Sequence, residues 1–396
     1  MALPIVSRGE LPPDEKAAFH KFVCPPTNGG IKEVDPLPPT FTFRRNLLVN
    51  FDLELPDMGK VPMWIIEDPD APDAPPPLPQ DALRRNFPSA TIRIPQGALV
   101  HADVLCQGNT HTIHWHGIEP TPMNDGVGHT SFEVGGHFFY QFQPRDAGTY
   151  FYHCHKNTVL HFEMGLYGML LVDPPDPAHP DVPVTYKTGG PGFAARFNPL
   201  AIKPTDHAIR YDVEAIWAAD SIDSRWHTLG HNAFMQKCDA NDPVNPENFS
   251  QDGFLNDYRP DIFLMTGIPR RKGDPTAFTV ADNPLFGPLV APTVKVGQTL
   301  LLRVLNADYI IHRVTLGIDA EVIGADGRAF GVPPFQQYSR PFPLPAGTPF
   351  RLTSAMRNDL TVKPTKTGTF PATVEFLDQI TGELLYTART SITVTP

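Results

Sequence analysis

Six histidines and one cysteine carry the chemistry that this sequence offers. HTIHWHG holds His111, His114 and His116, and HCHKNTVLH holds His153, Cys154, His155 and His161. Of the chain's 15 histidines, eight lie between His111 and His161, and such clustering calls for a metal, since imidazole and thiolate are the donors of copper and zinc. In an extended strand, residues two apart project to one face, so His114 pairs with His116 and His153 with His155. Two such strands side by side aim four imidazoles at one point. Cys154 lies between its histidines and points the other way, toward a separate site inside its own sandwich. Two histidines, one thiolate and a weak axial group form a trigonal electron-transfer copper site, whereas all-histidine sets suit copper centres that bind oxygen or anions. Because Cys154 is covalently adjacent to both His153 and His155, an electron has a short bonded route between the sites. Zinc explains the same donors but not a single cysteine between two histidines. His101, His129, His137, His179 and His207 have no such company and read as structural or exposed side chains.

The elements that must position these residues are strands. From Ala90 the chain runs ATIRIPQGALVHADVLC, HFFYQFQ, a PRDAG turn, TYFYHCH and GMLLV, with tight turns and no helical period. That pattern predicts a β-sandwich. A Pro-rich stretch at residues 173–183 marks a domain boundary, and strand patterns return after Pro292. The spacing predicts an N-terminal arm over residues 1–40, with a short helix near residues 14–22, a copper-binding domain over 41–180 and a second domain over 184–396. An internal repeat links the two: ATIRIPQGALVHADVLCQGNTHTIHWHGI resembles APTVKVGQTLLLRVLNADYIIHRVTLGI. In this alignment His111, His114 and His116 become Ile311, Val314 and Leu316, so the second domain keeps the strands and loses the chemistry. The expected class is all-β, with two sandwiches.

The 396 residues, net charge of −11 and 41% hydrophobic content fit two cored domains and argue against nucleic acid or an anionic membrane as partner. With 46 Pro and 30 Gly, the composition favours a loop-rich β protein. No apolar run is long enough for a membrane span. The start, MALPIVSRGELPPDEK, lacks the basic and apolar segments of a secretory leader. Cys24, Cys106 and Cys238 lack histidine neighbours, and one disulfide is expected among them, with Cys106 the first candidate.

HTIHWHGIEP, the DG of Asp125 and Gly126, GTYFYHCH and HFEMGLYG together resemble the copper motifs of multicopper oxidases, the laccase-like cupredoxin proteins. The resemblance covers about residues 85–175 strongly and 290–396 weakly. It implies two cupredoxin-like Greek-key sandwiches, with His111, Cys154 and His161 as type 1 copper ligands. It places His114 as a type 2 ligand and His116, His153 and His155 as type 3 ligands, with Cys154, His153 and His155 relaying electrons. The axial place falls on Leu166, which cannot coordinate; Met164 and Met169 are the nearby thioethers. The chain also departs from the family. Its cysteine motif is in the first domain, and no second H-x-H pair follows residue 161, so one chain offers four of eight trinuclear ligands. His227 and His231 are the only close later pair, and His312 reads as structural.

The resemblance therefore implies a copper oxidoreductase that couples one-electron oxidation of a substrate to dioxygen reduction, completed as a homo-oligomer, in the small members a trimer. The electron donor stays open between a small molecule, a metal ion and a redox protein, and Glu119, Asp125, Glu133 and Glu163 near the motifs fit either metal-ion oxidation or plain surface. Two alternatives stand beside this reading: a copper nitrite-reductase-like enzyme and a non-enzymatic blue-copper carrier. Oxidising copper chemistry favours a periplasmic or extracellular location.

Overall fold

The computed structural model describes residues 39–55, 59–127, 133–230, 258–334 and 336–396. The arm, its expected helix, Cys24, His129, His231 and Cys238 lie outside these. Alternation in the sequence becomes alternation of burial: along LLYTARTSITVT, nearly every second residue is buried, as a strand with one face on a core requires.

The first sandwich is built from β1 (Phe41–Leu55), β2 (Gly59–Glu67), β3 (Ser89–Pro95), β4 (Val100–His111), β5 (His114–His116), β6 (Val134–Phe142), β7 (Gly148–His153) and β8 (Tyr167–Asp173). One sheet runs β2-β1-β4-β6 and the other β3-β8-β7-β5. Val100, Ala102 and Val104 of β4 meet Trp115, Tyr150, Tyr152 and Cys154 in the core between them.

A ribbon of β9 (Gly192–Ala195) and β10 (Ala208–Tyr211) leads into the second sandwich. There follow β11 (Val213–Ile222), β12 (Ile262–Met265), β13 (Ile268–Arg271), β14 (Thr293–Lys295), β15 (Leu300–Asn306) and β16 (Ile311–Leu316). The chain continues through β17 (Ala320–Ala325), β18 (Arg328–Ala329), β19 (Phe342–Leu344), β20 (Pro349–Leu352), β21 (Arg357–Val362), β22 (Gly368–Leu377) and β23 (Leu384–Thr395). The order β13-β12-β11-β15-β21-β17-β18 faces β14-β23-β22-β16-β20.

The repeat seen in sequence is a repeat of connectivity. β1 runs parallel to β4 as β11 does to β15, and β3 runs parallel to β8 as β14 does to β23. β5 lies antiparallel to β7 as β16 does to β22. Ile311, Val314 and Leu316 thus lie on the strand corresponding to β5, and Val314 and Leu316 fill the second core.

Two kinds of contact hold the sandwiches together. Phe151, Tyr167, Met169 and Leu171, on the outer face of β7 and β8, share a buried apolar cluster with Ile216 and Ala218 of β11, Leu264 of β12 and Leu305 of β15. Beside it runs a buried polar network. Arg93 donates to Asp173 at 2.7 Å and to Glu214 at 2.7 Å, and Arg303 donates to Glu214 at 2.8 Å and to Thr149 at 2.8 Å. Thr149 in turn donates to Asp359. Burial alone would raise the Glu214 carboxyl, but the two guanidinium groups outweigh it and hold the carboxyl below its ordinary value.

Cys106 corrects one expectation: it is a free, buried thiol and forms no disulfide. Its side chain enters the first core from β4, and burial pushes its pKa up to about 12.

Replacing Glu214 by Ala removes the carboxylate that two buried guanidinium groups share and is expected to cost about 3–5 kcal/mol, read as a lower denaturation midpoint. A carboxyl depressed by folding stabilises fully above its unfolded pKa of about 4.3, so the Glu214 contribution is present at neutral pH and fades as pH falls below that value.

Candidate metal centre

The end of β7 divides the donors between two faces. His153 is the last residue of the strand, and the N–H of the next residue, Cys154, donates to the carbonyl of Leu166 at 2.9 Å. That bond turns the thiol into the core of the first sandwich, where Cys154 is wholly buried. Asn157 takes a left-handed φ of 45° and starts the short helix Thr158–Glu163, which folds back to present His161. His111 arrives from the end of β4. Cys154 Sγ lies 3.2 Å from His161 Nδ1 and 3.6 Å from His111 Nδ1, and the three donor atoms lie within 4.8 Å of one another. Burial pushes the thiol up to about 11, against hydrogen bonds with the backbone of Thr112 and Lys156 that pull it down. One soft thiolate with two imidazoles in a dry pocket is a donor set that fits copper. Met164 and Leu166 share the buried cluster of Cys154, whereas Met169 belongs to the cluster between the sandwiches. The pleat of β8 therefore turns Met169 away from the thiol, which removes it as an axial candidate.

On the opposite face the register places His114 beside His153 and His116 beside Phe151. Ring nitrogens of His114, His116 and His153 fall within 4.8 Å of one another. His155, one residue past Cys154, joins them with its ring centroid 5.3 Å from that of His114 and 5.6 Å from that of His153. Backbone carbonyls set the rings. His114 Nδ1 donates to the carbonyl of Asp125 at 2.7 Å, with the Asp125 carboxylate at 3.3 Å. His153 Nδ1 donates to the carbonyl of Cys154 at 2.9 Å. Both bonds leave Nε2 as the lone-pair nitrogen, the form a metal takes. The N–H of His155 donates to Thr112 Oγ1 at 2.9 Å. Burial, then the Arg357 charge, pushes His116 down to about 3, and burial holds His153 well below its ordinary value. These imidazoles are neutral.

The later histidines stand elsewhere. His227 is buried with Nδ1 donating to the Pro62 carbonyl at 2.7 Å and Nε2 at 3.4 Å from Glu163, and His312 pairs with Asp308 at 3.1 Å. Glu163 is likewise buried, and burial raises its carboxyl against the pull of His227. Glu133 is tied to Lys156 at 2.9 Å. What faces the histidines from the second sandwich is a cavity of about 660 Å³ lined by His114, His116, Asp125, Asp326, Arg328 and Arg357. Nothing in the sequence singled out Arg357, which sits in the ordinary strand pattern RNDLTV, nor the backbone carbonyl of Asp125.

The Asp125 carbonyl depends on Gly126, whose φ is +69° and whose Cβ, if present, would fall 1.8 Å from the Ile113 carbonyl. Gly126→Ala is expected to destabilise the protein by about 2 kcal/mol or more, and thermal denaturation of the purified variant measures it.

Residues 82–177 match the family profile described as Multicopper oxidase, a stretch that contains all seven donor residues described above. The chain is 39% identical over 110 residues to an L-ascorbate oxidase of Cucurbita maxima, which is 25% of this chain and 19% of that one. It is 36% identical over 100 residues to copper resistance protein A of Pseudomonas syringae pv. tomato, covering 24% of this chain and 16% of that one. The chain thus spans less than a fifth of the length of each of these relatives. Among solved structures, the blue copper oxidase from Nitrosomonas europaea superposes with a TM-score of 0.56 at 20% identity, over 89% of this chain and 86% of that one. This likeness extends the shared fold to both sandwiches.

Proposed function

We propose that this chain, whose residues 82–177 match the Multicopper oxidase profile, is a copper-dependent oxidase with separate electron-entry and oxygen-reducing sites. A reducing substrate gives up single electrons at the His111, Cys154 and His161 site. Dioxygen is reduced to water at the face of His114, His116, His153 and His155, with four electrons and four protons consumed for each dioxygen. Copper bound at these donors supplies one-electron exchange and dioxygen activation. The chain's own part is to hold the two donor sets apart and join them.

The observation that carries this reading is the double role of Cys154. Its sulfur meets His111 and His161, its backbone is bonded to His153 and His155, and its carbonyl accepts from His153 Nδ1 at 2.9 Å. Electrons have both a covalent and a hydrogen-bonded path from one face of the strand to the other. Neutral, carbonyl-anchored imidazoles are ready to bind without first losing protons.

The histidine face is half of a trinuclear set. Among the described residues, the second sandwich offers it Arg357 and Met356 rather than imidazoles, and Ile311, Val314 and Leu316 stand on the strand related to β5. We propose that further subunits complete it. The donor belongs to one of three classes, a small organic reductant, a metal ion or a redox protein; the names of the relatives, an ascorbate oxidase and a copper resistance protein, support the first two. Among the described residues no helix is long and apolar enough to cross a membrane, and a periplasmic or extracellular location suits the chemistry.

The copper-loaded protein is expected to show an intense blue thiolate absorption and to consume oxygen with a reductant, and Cys154→Ser is expected to abolish both. A protein that lacks the band, or keeps it in the serine variant, contradicts the proposal. Turnover of nitrite by a reduced donor without oxygen uptake would favour the reductase alternative instead.

A further inference from the structure

Arg357 reaches the histidine face from the second sandwich, and its side chain is only 3% exposed. Its Nη1 donates to the Ala355 carbonyl at 2.6 Å and lies 3.3 Å from Asp326 Oδ1, and its Nε donates to the Thr149 carbonyl at 3.4 Å. The guanidinium carbon sits 5.5 Å from the centre of the Phe151 ring, and Phe151 stacks on His116 at 4.4 Å. Nη2 makes no hydrogen bond among the described residues. It lies 2.7 Å from the position a Cβ would take on Gly117, a residue with φ of +91°. Glycine at 117 is therefore what lets the guanidinium stand beside the imidazoles.

Two of the cavity's carboxylates are paired with guanidinium groups, Glu119 with Arg328 at 2.8 Å and Asp326 with Arg357 at 3.3 Å, while the Asp125 carboxylate lies 3.3 Å from His114 Nδ1. A buried guanidinium whose Nη2 amino group is uncommitted among the described residues, in a cavity shared with imidazoles that would hold a metal, is a binding element for an anion. Lysine could not reproduce it, since the fixed fork is what lets two nitrogens stay on backbone carbonyls while the third faces the cavity.

We propose that Arg357 is an anion-binding residue: the cavity between it and His114 and His116 takes a small monovalent inorganic anion, of the size of nitrite, held between Nη2 and the metal on the histidine face. The proposal rests on copper binding there, as set out under the proposed function. Asp326 tempers it. Its carboxylate, with a side chain 44% exposed, neutralises part of the guanidinium charge. A merely structural arginine would tie the sandwiches together, and its replacement in a folded variant would leave anion affinity unchanged.

The test is a titration of the copper-loaded protein with sodium azide, followed by electron paramagnetic resonance of the non-blue copper, in the wild type, Arg357→Gln and Asp326→Asn. Azide affinity is expected to fall about tenfold or more in the glutamine variant. It is expected to rise about threefold in the asparagine variant. Asn accepts the left-handed φ of 51° at position 326, so this variant keeps the test alive if Arg357→Gln fails to fold. Unchanged azide affinity in a folded Arg357→Gln variant, or no gain in Asp326→Asn, overturns the proposal. So does a wild type that carries blue and non-blue copper yet binds no azide. A wild type without blue absorption overturns the parent reading instead, and the two failures are told apart by that band.

Discussion

A β-strand sends successive side chains to opposite faces, and the arrangement of this protein depends on that rule at the end of β7. Cys154 must face the dry interior of the first sandwich, and His153 and His155 must not. The strand therefore needs two environments: a core deep enough to bury a thiol with two imidazoles, and an outer face covered without being filled. The first sandwich provides the former through His111 and the helix bearing His161. The second provides the latter, which explains why a sandwich with Ile311, Val314 and Leu316 in place of the three histidines is still part of the site. It closes the outer face of β7 and β8 with apolar side chains and leaves a cavity where the imidazoles emerge.

Holding that cavity open is a matter of geometry more than of adhesion. The apolar cluster between the sandwiches supplies the non-directional attraction. The network of Arg93, Asp173, Glu214 and Arg303 fixes the relative placement, because buried charges tolerate only arrangements in which every partner is met. Thr149 joins both halves: it sits on β7, receives from Arg303 and donates to Asp359, while its carbonyl receives from Arg357. The strand that ends in His153 is thus clamped by the same side chains that orient the second sandwich, and any slip between sandwiches would move Arg357 relative to His116.

The sequence was most legible where function and local periodicity coincide. His114 with His116 and His153 with His155 could be assigned to common faces because spacing of two in a strand has one meaning, and the repeat foretold matching connectivity because the turn residues are repeated with the strands. Both sandwiches are found with the same strand pairing. Legibility ended where neighbours come from distant chain segments. Met169 lies close to Met164 in sequence, yet the pleat of β8 separates them. Cys106 has cysteines elsewhere in the chain, but it stands as a thiol in a core. His227 and Glu163 look like loop residues and are buried against each other, and Arg357 looks like any strand arginine until the fold brings it beside Gly117.

With one thiolate site and four clustered imidazoles in each chain, the working unit we propose is an assembly. Native mass spectrometry of the copper-loaded protein tests this most directly, since it reads mass and metal content in one particle. A closed oligomer with more than one copper for each chain is the expected result. A monomer with a single copper would contradict it and leave an electron carrier in its place.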